Sequence, residues 1–247
     1  MKITYLILPG LLTGLFLQAN AQNLYMPREI KAAYHNGTRS MDGKPGPNYW
    51  QNSGRYNISV TVRPPEREVQ GTEQITYFNN SPDTLKHLNF KVIMNTHKPG
   101  AARFFGTGKD YLDEGVTVAS ITINGEQYKW DSESPSTNQF LKLNKPLAPH
   151  DSAKVEITWH YNLVTGHGRE GIIDTTSFYL AYFYPRVAVF DDYKGWDTDE
   201  FNEVLEFYND FNDYTLNVTV PKNFIVWATG TLQNPDLVLK MEYAKRL

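Results

Sequence analysis

The feature that most constrains this chain is a period of two in its apolar residues, repeated along most of its length and cut by turn residues. Tyr56, Ile58, Val60 and Val62 alternate with polar neighbours across Arg55 to Arg63. Pro64-Pro65-Glu66 closes that run and Val69 to Phe78 resumes it. Leu85 to Met94 places Leu88, Phe90 and Val92 on one face. Further runs cover Val116 to Ile123, Gln127 to Trp130, Phe140 to Leu143, Ala153 to Tyr161, Phe178 to Tyr184 and Tyr214 to Val220, with Phe224 to Ala228 as the last strand's hairpin partner. Side chains of a strand point alternately to opposite faces, so this pattern predicts half-buried antiparallel strands. Asn124-Gly125 is the strongest hairpin signal, because both positions tolerate positive φ. About ten short strands with turns between them predict an all-β fold, an antiparallel β-sandwich or saddle-like pair of sheets.

Composition agrees. The 16 Tyr, 13 Phe and 5 Trp favour strands over helices, and 40% hydrophobic against 21% charged residues excludes disorder and coiled coil. The net charge of −3 and the lack of a Lys/Arg cluster argue against nucleic acid as a partner. The absence of cysteine excludes disulfides, thiol nucleophiles, Cys-zinc sites and a lipoprotein anchor.

Residues 1–21 read as an export signal: Lys2, an apolar stretch from Ile3 to Leu17, then Ala19-Asn20-Ala21 before Gln22. The stretch is shorter than the roughly 20 residues of a membrane span, so a periplasmic or extracellular location without a transmembrane anchor is expected. Residues 22–48 read as an irregular leader with two helical turns at Pro27 to Tyr34, and residues 49–233 as the β domain. In 234–247, Asn234-Pro235 looks like a helix start, followed by a short C-terminal helix from Leu237 or a linker to a further domain.

Chemical motifs are scarce. The six histidines form no His-Glu-x-x-His, and His167 to Glu170 is a lone His-x-x-Glu, so no metal ligands and no catalytic residues are assigned. No Gly-x-Ser-x-Gly elbow or phosphate loop occurs. One segment is distinctive. Asp191 to Asp213 carries nine carboxylates against one Lys194, interleaved with Tyr193, Trp196, Phe201, Phe207, Tyr208 and Phe211. It reads either as a solvated acidic face or as a contact surface for another domain.

Three stretches carry a resemblance. They are Tyr49-Trp50-Gln51-Asn52 with Gly71-Thr72-Glu73-Gln74-Ile75-Thr76-Tyr77; Phe183-Tyr184-Pro185-Arg186-Val187-Ala188-Val189-Phe190-Asp191-Asp192 with Gly195-Trp196-Asp197; and Glu206-Phe207-Tyr208 through Ala228-Thr229-Gly230. Together they resemble the N-terminal domain of secreted bacterial M1-family zinc aminopeptidases. The resemblance implies a β saddle packed on a thermolysin-like catalytic domain that holds the zinc, downstream of this chain and carrying the family's His-Glu-x-x-His. Peptide would be met only through the complete enzyme.

The family's first domain lends a Gln or Glu to the substrate amine shortly before an aromatic-Pro turn, which Tyr184-Pro185 matches. Thr175 to Tyr182 holds neither, and Asp174 is the nearest acid. The resemblance therefore places Asp174, Tyr182 and Tyr184 near substrate, and Asp191, Asp192, Trp196, Asp197 and Asp199 on an interdomain face. The alternative is a free-standing binding module whose exposed rings stack on carbohydrate. A flat aromatic row would favour sugar; an apolar patch rimmed by carboxylates would favour docking.

Overall fold

The computed structural model describes residues 25–165 and 169–246; the signal sequence, His167 and Leu247 lie outside the described residues. The described residues open with a helix, α1 (Arg28–His35), followed by strands β1 (Ser53–Val62), β2 (Glu68–Phe78), β3 (Leu85–Lys91), β4 (Thr117–Ile123), β5 (Glu126–Gln127), β6 (Asn138–Leu147) and β7 (Ser152–Asn162). Next come β8 (Glu170–Asp174), β9 (Ser177–Leu180), β10 (Arg186–Val187), β11 (Phe190–Asp191), β12 (Gly195–Trp196) and β13 (Asp213–Thr219), then α2 (Pro235–Val238) and α3 (Met241–Ala244).

The main sheet has the order β13-β1-β2-β7-β4-β5, and a second has the order β10-β3-β6. Inward residues of both enter one core, where Trp159, Tyr77, Tyr161 and Phe90 are fully buried. Each such side chain contributes roughly 1.5–3 kcal/mol by leaving water. Alternation predicted β1, β2 and β7 well, because each buries one face only. Asn124 (φ 52°) and Gly125 (φ 82°) form the expected turn between β4 and β5.

Close packing explains one glycine. A Cβ on Gly71 would lie 2.1 Å from Trp159 Cζ2, so β2 can pass under the indole only without a side chain there.

Two expectations fail. Phe224–Ala228 forms no strand; the partner of β13 is β1, in parallel, with Tyr56 beside Tyr214, Ile58 beside Leu216 and Val60 beside Val218. The connection from β1 to β13 spans most of the chain, a pairing that alternation and a Pro-Lys-Asn turn cannot reveal. The strand expected at Leu85–Met94 stops at Lys91 and becomes a 3-10 helix at Ile93–His97, since every residue from Leu88 to His97 is buried and no single face is selected. The short C-terminal helix is present as two four-residue helices, the first starting at Pro235 as expected, although Asn234 makes no side-chain cap.

Candidate functional site

The site grows from two segments, 169–186 and 190–213. In the first, β8 and β9 form a hairpin in which Glu170 lies opposite Leu180. Glu170 accepts hydrogen bonds from the Tyr161 hydroxyl (2.8 Å) and from the backbone N–H groups of Ala181 (2.6 Å) and Tyr182 (3.1 Å). It therefore fixes the backbone where the chain turns from β9 into Tyr182-Phe183-Tyr184. Burial pushes its pKa up to about 7 against the pull of those three donors.

Asp174 occupies the exposed tip of the hairpin. It accepts from the Thr176 N–H and hydroxyl, both at 2.7 Å, and these bonds lower its pKa. Its observed part is that of a turn residue. Tyr182 and Tyr184 lie on either side of Phe183; Tyr184 meets the Arg186 guanidinium directly and Tyr182 reaches it through Phe207. Arg186 sits 4.8 Å from the Tyr184 ring centroid and 4.6 Å from that of Phe207, which itself packs edge-on to Tyr182. The Tyr184 hydroxyl donates to that of Tyr214 at 3.1 Å, and burial pushes its pKa up. Tyr182 and Tyr184 thus share a cluster, whereas the hydrogen bonds of Asp174 stay within its own hairpin.

In the second segment, β11 and β12 form a small hairpin that buries Trp196 against Phe190, Tyr77 and His87. Asp197 follows into the interior and pairs with Lys91 at 3.1 Å, both side chains at 3% exposure or less. Lys91 also donates to the Asp199 carbonyl at 2.6 Å, while the Asp199 side chain pairs with Lys194.

Asp191 and Asp192 face the leader. Arg39 donates through Nη2 to Asp192 (2.7 Å) and Asp191 (3.1 Å), through Nε again to Asp192, and lies 4.8 Å from the Tyr193 ring. Thr38 adds a hydroxyl to Asp192 at 2.5 Å. Burial raises Asp191 to about 6, helped by the neighbouring carboxylate; at Asp192 the bonds from Arg39 and Thr38 overcome burial and hold the pKa well below the usual range. Asp210 is pushed up to about 7 by burial, with only a long Gln51 bond opposing it.

Thus Asp191, Asp192, Trp196, Asp197 and Asp199 are each engaged by other parts of the chain, and the acidic segment divides. Residues 191–201 are anchored into the body; exposed apolar side chains begin at Val204 and continue through Leu205, Tyr208 and Phe211. Of the 22 large hydrophobic residues exposed among the described residues, 14 lie in 204–246. Tyr214, Leu216 and Val218 share the core-facing side of the sheet with Tyr56, Ile58 and Val60, yet Tyr214 and Leu216 are exposed.

Arg39, Glu73 and Glu170 were not legible as site residues. Glu73 had a signal, a carboxyl on the inward phase of β2; Arg39 had none, since it lies more than 150 residues from its partners. Among the described residues no three His, Asp or Glu side chains converge to hold a metal ion. No helix of the described residues is long and apolar enough to cross a membrane.

No family model and no curated protein matches the sequence. Among solved structures the chain is similar to an M1 zinc metallopeptidase from Deinococcus radiodurans, at 14% identity and a TM-score of 0.40, over 72% of this chain and 34% of that one. A two-domain M1 zinc metallopeptidase variant bound to L-tryptophan matches at 15% identity and a TM-score of 0.40, over 72% and 35%. An exo-β-N-acetylglucosaminidase from Vibrio harveyi matches at 12% identity and a TM-score of 0.23, over 74% and 21%. The chain spans about a third of the length of the metallopeptidase structures it matches.

Proposed function

We propose that this chain is the non-catalytic N-terminal domain of an exported M1-like zinc metallopeptidase. Residues 49–233 act as the β domain and 234–247 lead toward a catalytic domain that carries the zinc. The observation that carries the reading is the concentration of exposed apolar side chains in 204–246, a segment that includes the edge strand β13, where Tyr214 meets Tyr184. Apolar patches rimmed by polar groups mark docking surfaces. Aliphatic Val204, Leu205, Leu216 and Ile225 are mixed with the rings, which supports docking over a sugar-stacking row. The motifs at Tyr49-Trp50, Tyr184-Pro185 and Gly195-Trp196 support the family.

In this role the domain closes one wall of the cleft. Tyr182 and Tyr184 approach the substrate end, Asp174 stands at the hairpin tip, and Asp191, Asp192, Trp196, Asp197 and Asp199 support the interdomain face from behind. Closing a cleft excludes water and limits access to free N-termini. Zinc in the catalytic domain would lower the pKa of its bound water and polarise the scissile carbonyl. Nothing in the described residues of this chain takes part in that step.

Metal analysis after dialysis and an aminopeptidase assay test the reading directly. Residues 22–247 alone are expected to retain no stoichiometric zinc and to leave aminoacyl substrates intact. A polypeptide continuing through a catalytic domain is expected to retain zinc and to hydrolyse those substrates. Turnover by residues 22–247 alone would overturn it.

A further inference from the structure

The core-facing positions of β2 are Val69, Gly71, Glu73, Ile75 and Tyr77, so a carboxyl sits in the middle of an otherwise apolar row. Glu73 is 2% exposed, and neither of its oxygens has a hydrogen-bond partner among the described residues. The charge that acts on it is Arg186, which opposes the strong upward push of burial on the Glu73 carboxyl. Arg186 is itself 5% exposed. Its Nη1 donates to Asn209 Oδ1 at 3.4 Å, while Nε and Nη2 are buried and lack partners among the described residues. The Tyr182 hydroxyl, which feels the Arg186 charge, is buried and without a partner as well. Glu73 and Arg186 nevertheless make no ion pair within 4.0 Å.

Geometry places these groups together: Tyr56, diagonal to Glu73 across β1 and β2, packs on the Tyr184 ring, and the Arg186 guanidinium lies 4.8 Å from that ring, so the five buried polar atoms there need partners. Each orphaned atom lowers the folding equilibrium constant by about tenfold or more, so five together would cancel much of a domain's stability. An internal water with two to four polar contacts satisfies such groups. The set offers what water needs. Carboxyl oxygens accept, guanidinium N–H groups donate, and a phenol does either.

We propose that Glu73 and Arg186, with Tyr182 beside them, form an internal site for ordered water, and that this water bridge ties the core face of β2 to the 182–186 segment. Arg186 also holds Phe207 and Asn209, so the bridge extends to the start of the exposed apolar surface. The site is independent of the metallopeptidase reading, since it concerns groups that no docking partner can reach.

Two measurements test it. A crystal structure of the chain at better than about 2 Å is expected to show a water bonded to both the Glu73 carboxyl and Arg186 Nε or Nη2. A direct carboxylate–guanidinium contact in its place would overturn the proposal. Urea unfolding of Glu73→Leu, Arg186→Met and the double variant forms the second. Each single change strands the other group and lowers the folding equilibrium constant by roughly 100-fold or more. The double variant is expected to lose at least tenfold less than the product of the two; losses that simply multiply would overturn the bridge. Glu73→Gln keeps the volume and an acceptor, and is expected to lose no more than about tenfold. A Gln variant as damaged as the Leu variant would refute the polar role, even if Arg186→Met does not fold.

Discussion

Replacing Glu170 by Gln removes a titration from the junction between β9 and the Tyr182–Tyr184 segment, and the effect can be worked out from the structure. The Glu170 carboxyl has its pKa raised from 4.5 to about 7 by burial. As pH rises from about 4.5, the unfolded chain releases this proton first and the folded chain holds it. The folded state then binds more protons, so stability falls with rising pH until about pH 7 and is flat above. The full shift of about 2.5 pKa units corresponds to about 3 kcal/mol, of which about 2.5 kcal/mol falls between pH 5 and pH 8. Glu170→Gln has no such slope. Its amide oxygen can still accept from Tyr161 or Tyr182, and whatever it loses there is the same at both pH values. Urea unfolding of both proteins at pH 5 and pH 8 should therefore show the variant gaining about 2.5 kcal/mol on the parent at the higher pH. Asp191 and Asp210 add slopes of the same sign to both proteins and cancel in the comparison. Parallel pH profiles would refute the idea that Glu170 carries the strain of a buried carboxylate.

Arg39→Ala leaves the Asp192 side chain, 1% exposed, without its cation; because Arg39 itself is 38% exposed, a loss of about 2 kcal/mol is expected, with faster hydrogen exchange in α1 and the 36–48 segment. Arg39→Ala combined with Asp192→Asn should recover part of that loss, and no recovery would mean that the leader is held by packing instead. Gly71→Ala drives a methyl into Trp159 and should cost at least about 1–3 kcal/mol, read by urea unfolding together with a changed tryptophan emission. Phe211→Ser with Leu216→Ser should lower binding of a hydrophobic dye while shifting the unfolding midpoint little, since both side chains are exposed; a large loss of stability would place them in the core instead.

The strands that were legible in the sequence are those with one wet and one dry face. In β7, Ala153, Val155, Ile157, Trp159 and Tyr161 point inward and their neighbours outward, so a period of two states the answer. β3 is different: Asn89 and Lys91 are buried beside Leu88 and Phe90, Asn89 donating to the Asp197 carbonyl and Lys91 pairing with the Asp197 side chain and donating to the Asp199 carbonyl, and no alternation survives. β8 was missed because its five residues, Glu-Gly-Ile-Ile-Asp, carry no period of two: only Gly171 is buried, and the two isoleucines are adjacent in sequence. At the site, proximity in sequence to Tyr184-Pro185 selected Asp174, whereas the carboxyl that organises the turn is Glu170, four residues earlier and directed inward by the strand's phase. The rings of 191–213 were legible as a group but not their division into buried Trp196 and Phe201 and exposed Tyr208 and Phe211. That division depends on which residues the Arg39 and Lys91 pairs pull inward.

The parallel pairing of β1 with β13 also sets an order of events during synthesis. Val62 leaves the ribosome 157 residues before Thr219, which closes the same edge of the sheet. At about 5–20 residues per second, β1 waits roughly 8–30 seconds with one row of amides and carbonyls unanswered. A ten-residue strand bare for that long is a template for pairing with any extended chain nearby, another nascent copy included. Its outward residues offer little resistance, since Asn57 and Ser59 carry no charge and Arg55 stands alone near one end. The yield of folded protein should therefore depend on how quickly residues 213–219 arrive, and supplying β13 as a separate peptide during refolding should protect a chain cut before residue 213 from association.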